Sequence, residues 1–317
     1  MRLAVTGASG FVGGAVARDA VRQGHEVHVF SRRDPRIAGA RFRPWDLTDG
    51  ALADPPDVDT VVHAGATVSD WCTEQVAHAV NVAGTRAVRE TFPGARLVHV
   101  SSGSVYDPYR PTVRGREVDA PVGRYLNAYG RSKAAAERYL QEDARRADHG
   151  RGPIVVLRPH AVYGPGDTTL LPRIEGAVRG RNLVIVGDGR VLQHLTHVDT
   201  LVRAVRAATT VDVPPGEALV ANVADAEPVV LRDVLVDLLD RRGHGQVRVV
   251  GIPARPGRVL AGALEVVARA ARRTSAPRLT RYAISHLASE RTYDLRVLHD
   301  VLGVEPRATS TEGAEGW

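Results

Sequence analysis

With 317 residues, 44% of them apolar and 25% charged, the chain has the composition of a folded protein with one large domain, or a large domain and a smaller lobe, and not of a disordered one. No uninterrupted apolar run of about 18 residues predicts a spanning helix, the opening MRLAVTGASG lacks a signal-peptide pattern, and a lone Cys72 excludes an internal disulfide, so a cytoplasmic protein is expected. The net charge of +6 does not read as a nucleic-acid footprint: the basic residues are scattered, and Lys133 is the only lysine among 42 Lys and Arg, a pattern expected of GC-rich coding.

In chain order, Arg2–Thr6 is a short apolar strand that ends in glycines. Phe11–Gln23 has helical spacing, with Val12, Val16 and Ala20 on one face, and Gly24 stops it. Strands follow at Glu26–Phe30, Thr60–His63, Leu97–Ser101 and Ile154–Leu157, with helical stretches at Thr73–Thr91 and Leu126–Ala147 between them. This alternation predicts an α/β fold: a doubly wound parallel sheet with right-handed crossovers, whose ligands bind beyond the carboxyl ends of the strands. Residues 1–160 are expected to form mainly the dinucleotide-binding (Rossmann) part. Residues 161–317 are expected to form mainly a smaller C-terminal substrate-binding lobe, with some segments returning to the sheet. Ala254–Arg273 reads as an amphipathic, Arg-rich helix. Between contact with a membrane surface and solvated packing on the protein, packing is the expectation. Arg291–Leu302 reads as a further helix.

Gly7, Gly10 and Gly13 stand between the first strand and the first helix, with Phe11 and Val12 opening that helix. Glycines there let the backbone turn tightly and approach a pyrophosphate, and the helix N-terminus offers free N–H groups. The second strand then ends Val29-Phe30-Ser31-Arg32-Arg33. A site selective for NAD usually carries Asp or Glu here, to accept from the ribose hydroxyls. Ser31 is uncharged, and Arg32 and Arg33 can bind a 2′-phosphate, so NADP(H) is expected over NAD(H). Two solvated arginines in an Arg-rich chain would look the same.

Tyr129 and Lys133 lie four residues apart near the start of a helix and so share a face. A nearby cation favours the phenolate, which otherwise forms only near pH 10, and a phenol so tuned can exchange a proton with a substrate oxygen. The retention of one lysine in an Arg-rich chain suggests a position that needs an ammonium. Tyr125 is a rival phenol one turn earlier, but it has no lysine four residues on. Ser102 and Ser104, in the run Ser101–Tyr106 at the end of a strand, are both candidates to hydrogen-bond the substrate oxygen.

These segments resemble the extended short-chain dehydrogenase/reductase family, from residue 1 to about residue 305. The likeness is carried by TGASGFVG (6–13), WDLTD (45–49), HAGA (63–66), NVAGT (81–85), SSGSVY (101–106), YGRSK (129–133), RPHAVYGPGD (158–167) and GDGRVLQHLTHVD (187–199). The resemblance implies that Asp46 and Leu47 contact the adenine, and that His63, Ala64 and Gly65 line the cofactor. It also implies that Asn81 supports the loops around it, that Ser102 is the active-site hydroxyl, and that Pro159, His160 and Val162 lie by the nicotinamide and substrate. Ser104, Tyr106, His160 and Gln193 are the residues expected on the substrate side. Sugar-nucleotide members carry a diphosphate-binding Arg where this chain has Gln193, and a neutral amide cannot form that clamp. The 3β-hydroxysteroid-dehydrogenase-like and ketoreductase branch is the better match, and the run at 276–307 resembles it too. Arg173, Arg179 and Arg181 leave an anionic substrate group possible.

The expected protein is therefore an NADP(H)-dependent ketoreductase or alcohol dehydrogenase acting on a small molecule. It has no metal, no nucleic-acid or membrane partner, and a homodimer is its expected assembly by resemblance. An epimerase or dehydratase that recycles a bound cofactor is the second expectation, and a non-catalytic NADP sensor the third.

Overall fold

A computed structural model describes residues 1–146, 150–273, 275–277 and 279–317. Its centre is a parallel sheet of seven strands. The first half supplies β1 (Arg2–Thr6), α1 (Phe11–Arg22), β2 (Glu26–Ser31), β3 (Ala40–Pro44), β4 (Thr60–His63), α2 (Glu74–Ala77), α3 (Gly84–Thr91), β5 (Arg96–Val100), β6 (Thr112–Gly115), α4 (Ala128–Arg145) and β7 (Ile154–Pro159). The second half supplies β8 (Val162–Tyr163), α5 (Leu170–Glu175), β9 (Val178–Arg179), β10 (Asn182–Val186), β11 (Leu192–Gln193), β12 (Thr196–His197), α6 (Val198–Ala208), β13 (Ala218–Val223), β14 (Val229–Val230), α7 (Leu231–Leu239), β15 (Arg248–Ile252), α8 (Ala254–Ala270), α9 (Arg281–Leu287) and β16 (Arg291–Tyr293).

The sheet runs β13-β7-β5-β4-β1-β2-β3. Strand order reverses between β1 and β4, and the crevice at such a switch point is where doubly wound sheets take ligands. Helices cover both faces, so β4 and β7 are buried along their whole length and read as continuous apolar runs. On one face α1 and α6 bury Val16, Ala17, Leu201 and Val205 against Val5, Val62 and Val98. On the other, α3 and α4 bury Val88 and Leu140 against Ala4, Leu97 and Val156. Two late segments belong to these layers: β13 pairs with β7 at the edge, and Leu298 and Leu302 enter the α1–α6 core. The other late strands form small sheets beside the carboxyl ends of the main strands, among them β14-β11-β16-β6 and β15-β10-β9.

Three elements differ from the sequence reading. The stretch read as one helix over Thr73–Thr91 is α2 and α3 joined by a π-helical turn, His78–Ala83. Arg291–Leu302 begins as strand β16, not helix. Its Thr292 and Tyr293 suit a strand, Arg291 and Tyr293 pair with β6, and only Val297–Val301 coils. The helix read over Leu126–Ala147 is α4, Ala128–Arg145; Ala147 lies outside the described residues. No described helix is long and apolar enough to cross a membrane.

Candidate active site

Backbone alone forms the floor of the crevice. Gly7 turns at φ +71° and donates its N–H to Phe30 O at 2.8 Å, and Gly10 caps the N-terminus of α1. A Cβ on Gly7 would lie 2.6 Å from Gly65 Cα, and one on Gly13 would lie 2.3 Å from Gly7 O. The β1 and β4 loops therefore touch main chain to main chain, beside a helix N-terminus with four N–H groups free of helical partners. That arrangement fits the pyrophosphate of a dinucleotide, which needs close backbone donors and no intruding side chains. Gly7→Ala is expected to destabilise the protein by about 2–3 kcal/mol and to abolish cofactor binding, because the new methyl meets backbone that cannot yield. Thermal unfolding and nucleotide titration would check this.

Toward the adenine end, Ser31 is buried and its Oγ donates to Arg33 O at 2.6 Å, which shapes the turn after β2. Arg32 and Arg33 are exposed, and neither is held in an ion pair among the described residues. Arg32 borders a groove of about 430 Å³ with Trp45, Asp46, Asp49 and Leu52. Asp46 caps the turn Leu47–Asp49, accepting from Thr48 N at 3.0 Å and Thr48 Oγ1 at 2.8 Å; these bonds, with the Arg32 charge, hold its carboxyl below the usual range. Leu47 packs against the bare Cα positions of Gly65 and Gly84.

His63 departs from its expected role. Its ring is buried and hydrogen-bonds with Thr6 Oγ1 at 2.7 Å and Thr85 Oγ1 at 3.0 Å, while burial, and then the Lys133 charge, push its pKa down to about 3. It is a neutral strut between β1, β4 and α3, and the main chain at Ala64 and Gly65 is what faces Gly7. Asn81, in the π-helical turn, accepts from Thr67 N at 2.8 Å and donates to Thr67 O at 3.1 Å and to Ser132 Oγ at 2.8 Å. It thus ties the loop after β4 to α4.

Helix α4 starts where the Asn127 side chain accepts from Gly130 N at 2.9 Å, which sets Tyr129 in its first turn. Tyr129 and Lys133 are both buried, one turn apart. Burial raises the Tyr129 pKa, and the Ser102 hydroxyl beside it opposes that rise; Ser102 Oγ itself donates to Ser104 Oγ at 3.0 Å. Lys133 Nζ donates to Val100 O at 2.8 Å, at the end of β5. Burial lowers the Lys133 pKa to about 8, against the pull of Glu137. The expectation that the lysine lowers the phenol's pKa is therefore not met here: the ammonium is turned to the strand, and desolvation dominates. Tyr125, the rival phenol, donates to Val105 O at 2.9 Å, and burial takes it up to about 12.

Of the residues expected on the substrate side, Ser104 lies next to Ser102, and its Oγ shares a 2.7 Å hydrogen bond with Tyr282 Oη. Tyr106 and Gln193 are built into the frame. Tyr106 Oη donates to Asn222 Oδ1 at 2.8 Å, and Gln193 Nε2 donates to His286 O and Ser289 O, both at 2.7 Å. Gln193 Oε1 is engaged as well, by His160 Nε2 at 3.1 Å, so its amide has no group left for a substrate. Pro159 ends β7. His160 stacks on His286 at 5.3 Å, and Val162 pairs with Thr196. Burial holds His160 at about 3 and His194 at about 4, and His286 well below its ordinary value, so these imidazoles are neutral.

Sequence reasoning missed Tyr282 and Asp70, and named Arg173 only as able to bind an anionic group, not as the partner of Asp70. Tyr282, on α9, stands edge-on to Tyr129 with ring centroids 6.4 Å apart. Asp70, in the loop after β4, accepts from Thr280 Oγ1 at 2.9 Å and Arg173 Nη2 at 2.8 Å, which joins that loop to the start of α9 and to α5. No local pattern marks these residues, because each belongs to a different distant segment.

Comparison with known proteins shows the family and the fold. The family model "NAD dependent epimerase/dehydratase family" matches residues 3–224. The 2-alkyl-3-oxoalkanoate reductase of Stenotrophomonas maltophilia is 30% identical, over 99% of this chain and 97% of that protein. A Stigmatella aurantiaca ketoreductase, acting on 4-hydroxy-2-methyl-3-oxo-4-farnesyl-3,4-dihydroquinoline-1-oxide by its name, is 29% identical over 99% and 95%. Among solved structures, MoeE5 in complex with UDP-glucose and NAD superposes with a TM-score of 0.72 at 26% identity, covering 99% of this chain and 96% of that one.

Proposed function

The chain belongs to the NAD dependent epimerase/dehydratase family, within the extended short-chain dehydrogenases/reductases, and from that premise we propose that it is an NADPH-dependent reductase of a small-molecule ketone. The observation that carries this reading is the buried phenol of Tyr129, beside the Ser102 hydroxyl, with its pKa raised. A phenol held protonated at neutral pH is ready to act as an acid, which is what ketone reduction requires. Ser102 Oγ orients the substrate oxygen, and Tyr129 Oη gives it a proton as it becomes an alcohol. Lys133, buried one turn from the phenol with its Nζ on Val100 O, is the group that would hold the ribose. The bound dinucleotide supplies the hydride. Tyr282 and the neutral His286 line the space beside Ser104, together with Arg291. The names of the two ketoreductase relatives, which specify 3-oxo substrates with alkyl or farnesyl chains, support a ketone carrying an apolar chain, one of them with a carboxylate as well.

NADPH preference rests on Ser31 in place of a carboxylate, with Arg32 and Arg33 exposed and unpaired among the described residues. The test is consumption of NADPH and NADH against a panel of ketones. NADPH should be favoured by at least about tenfold in kcat/KM, and Arg32→Ala with Arg33→Ala should remove most of that margin while leaving NADH turnover unchanged. Equal use of both cofactors would defeat the preference. A second reading, epimerisation or dehydration with a retained cofactor, is favoured by the likeness to MoeE5 bound to UDP-glucose and NAD. It predicts turnover with no net consumption of NADPH, which the same assay reads directly.

A further inference from the structure

Helix α8 is amphipathic in the opposite sense to a packing helix. It buries Gly257, Ala261, Glu265 and Ala268 and turns its large apolar side chains to solvent: Val259, Val266 and Val267 are 75%, 68% and 65% exposed, and Leu260 and Leu264 stand beside them. At about 100° per residue these five occupy one arc of roughly 160°. Arg255, Arg258 and Arg269 lie along one border of that arc, all exposed. The helix's one carboxylate, Glu265, faces inward, where it accepts from Arg281 N at 2.7 Å and Arg281 Nε at 2.9 Å. The outward face is therefore apolar and cationic, with no acidic group. At its C-terminal end Trp71 adds an aromatic ring under Arg269, 4.8 Å from the guanidinium, and its Nε1 donates to Arg273 O at 3.0 Å.

A small residue would have sufficed at each solvent-facing position, and exposing several large aliphatic side chains side by side is unfavourable in water. Something covers this face. Another copy of α8 would bring the same arginine border and no carboxylate to meet it. The charge pattern instead matches a surface that is apolar below and anionic above. We propose that α8 docks this protein on bilayers containing anionic lipids. It lies in the plane of the headgroups, with Val259, Val266 and Val267 in the acyl boundary and Arg255, Arg258 and Arg269 on lipid phosphates. Since Glu265 on the inward face of α8 ties it to α9, and α9 carries Tyr282, docking sets the site described above behind α8, on the side away from the lipid. The docking itself does not depend on which reaction that site performs.

The test is co-sedimentation of the full chain with vesicles of phosphatidylcholine alone, and with vesicles in which about one third of the lipid is phosphatidylglycerol. Binding to the anionic vesicles should be at least about tenfold stronger and should weaken as salt shortens the screening length. Val259→Ser with Val266→Ser, both on exposed positions, should abolish binding while leaving the unfolding temperature unchanged. Arg255→Gln with Arg258→Gln should remove the preference for anionic vesicles. Failure of the wild type to sediment with either vesicle would overturn the proposal, as would serine variants that bind like it. So would a dimer in sedimentation velocity that the serine pair splits, with no vesicle binding, since that assigns the face to a second copy.

Discussion

Replacement of Tyr129 by Phe is expected to lower kcat by about 10²–10⁴-fold, the usual worth of a positioned proton donor, while the dissociation constant for NADPH changes by less than about threefold. The change removes one oxygen and keeps the ring, whose packing edge-on to Tyr282 does not need the hydroxyl. The glycine cradle and Lys133 are untouched, so the site should fill as before. Tyr125→Phe is the control. That phenol is committed to Val105 O, and its loss should leave kcat within about threefold. Turnover measured by NADPH absorbance and binding by nucleotide fluorescence separate the two effects. Unchanged kcat in the Tyr129 variant would remove the proton donor from the mechanism and leave the phenol as packing.

The parts legible in the sequence are those whose physics is local. The glycine triplet, the i,i+4 relation of Tyr129 and Lys133, and the apolar runs of β1, β4 and β7 depend only on near neighbours. The chain therefore reads correctly as a doubly wound sheet, and the Tyr–Lys face on α4 is where the spacing puts it. What was illegible depends on partners far away in the sequence. Strand β3, ARFRP, is an edge strand with little burial and so no apolar run to announce it. His63 looks like a cofactor-lining residue until Thr6 and Thr85 close on both ring nitrogens. Gln193 looks available until α9 and the residues after it supply two carbonyls to its amide. The apolar stripe of α8 was visible as a period, but a period does not say which face points inward. The fold resolves this by packing the small residues and Glu265, not the valines.

One group beneath the site fastens the helix that carries Tyr129 and Lys133. Glu137 lies one turn beyond Lys133, and its side chain and that of Arg158 are both fully buried. It accepts from Arg158 Nε at 3.1 Å and Nη2 at 2.6 Å and from Ser101 Oγ, so α4 is fastened to β7 and to the loop after β5 that carries Ser102. Arg158 in turn donates to Glu117 O at 2.8 Å and Ala120 O at 3.0 Å. Such a network adds little over an apolar core while intact, but breaking it strands a charge. Glu137→Gln should cost about 3–5 kcal/mol, since it leaves the Arg158 guanidinium uncompensated in the interior. In a chain of this length that lowers the unfolding temperature by roughly 5–8 °C. A second effect distinguishes position from mere stability. Glu137 is the carboxylate that pulls the Lys133 pKa upward against burial, and the two together leave it at about 8. If the ammonium is needed, reductive turnover is present below about pH 8 and lost as the pH rises through that value, where Lys133 discharges. Without the Glu137 charge the pKa falls further, so the alkaline limb should move to lower pH by about one unit in the variant. An unfolding temperature that does not move would contradict the first effect, and a pH profile that keeps its alkaline limb would contradict the second. The second result would show that the buried pair does not govern the lysine.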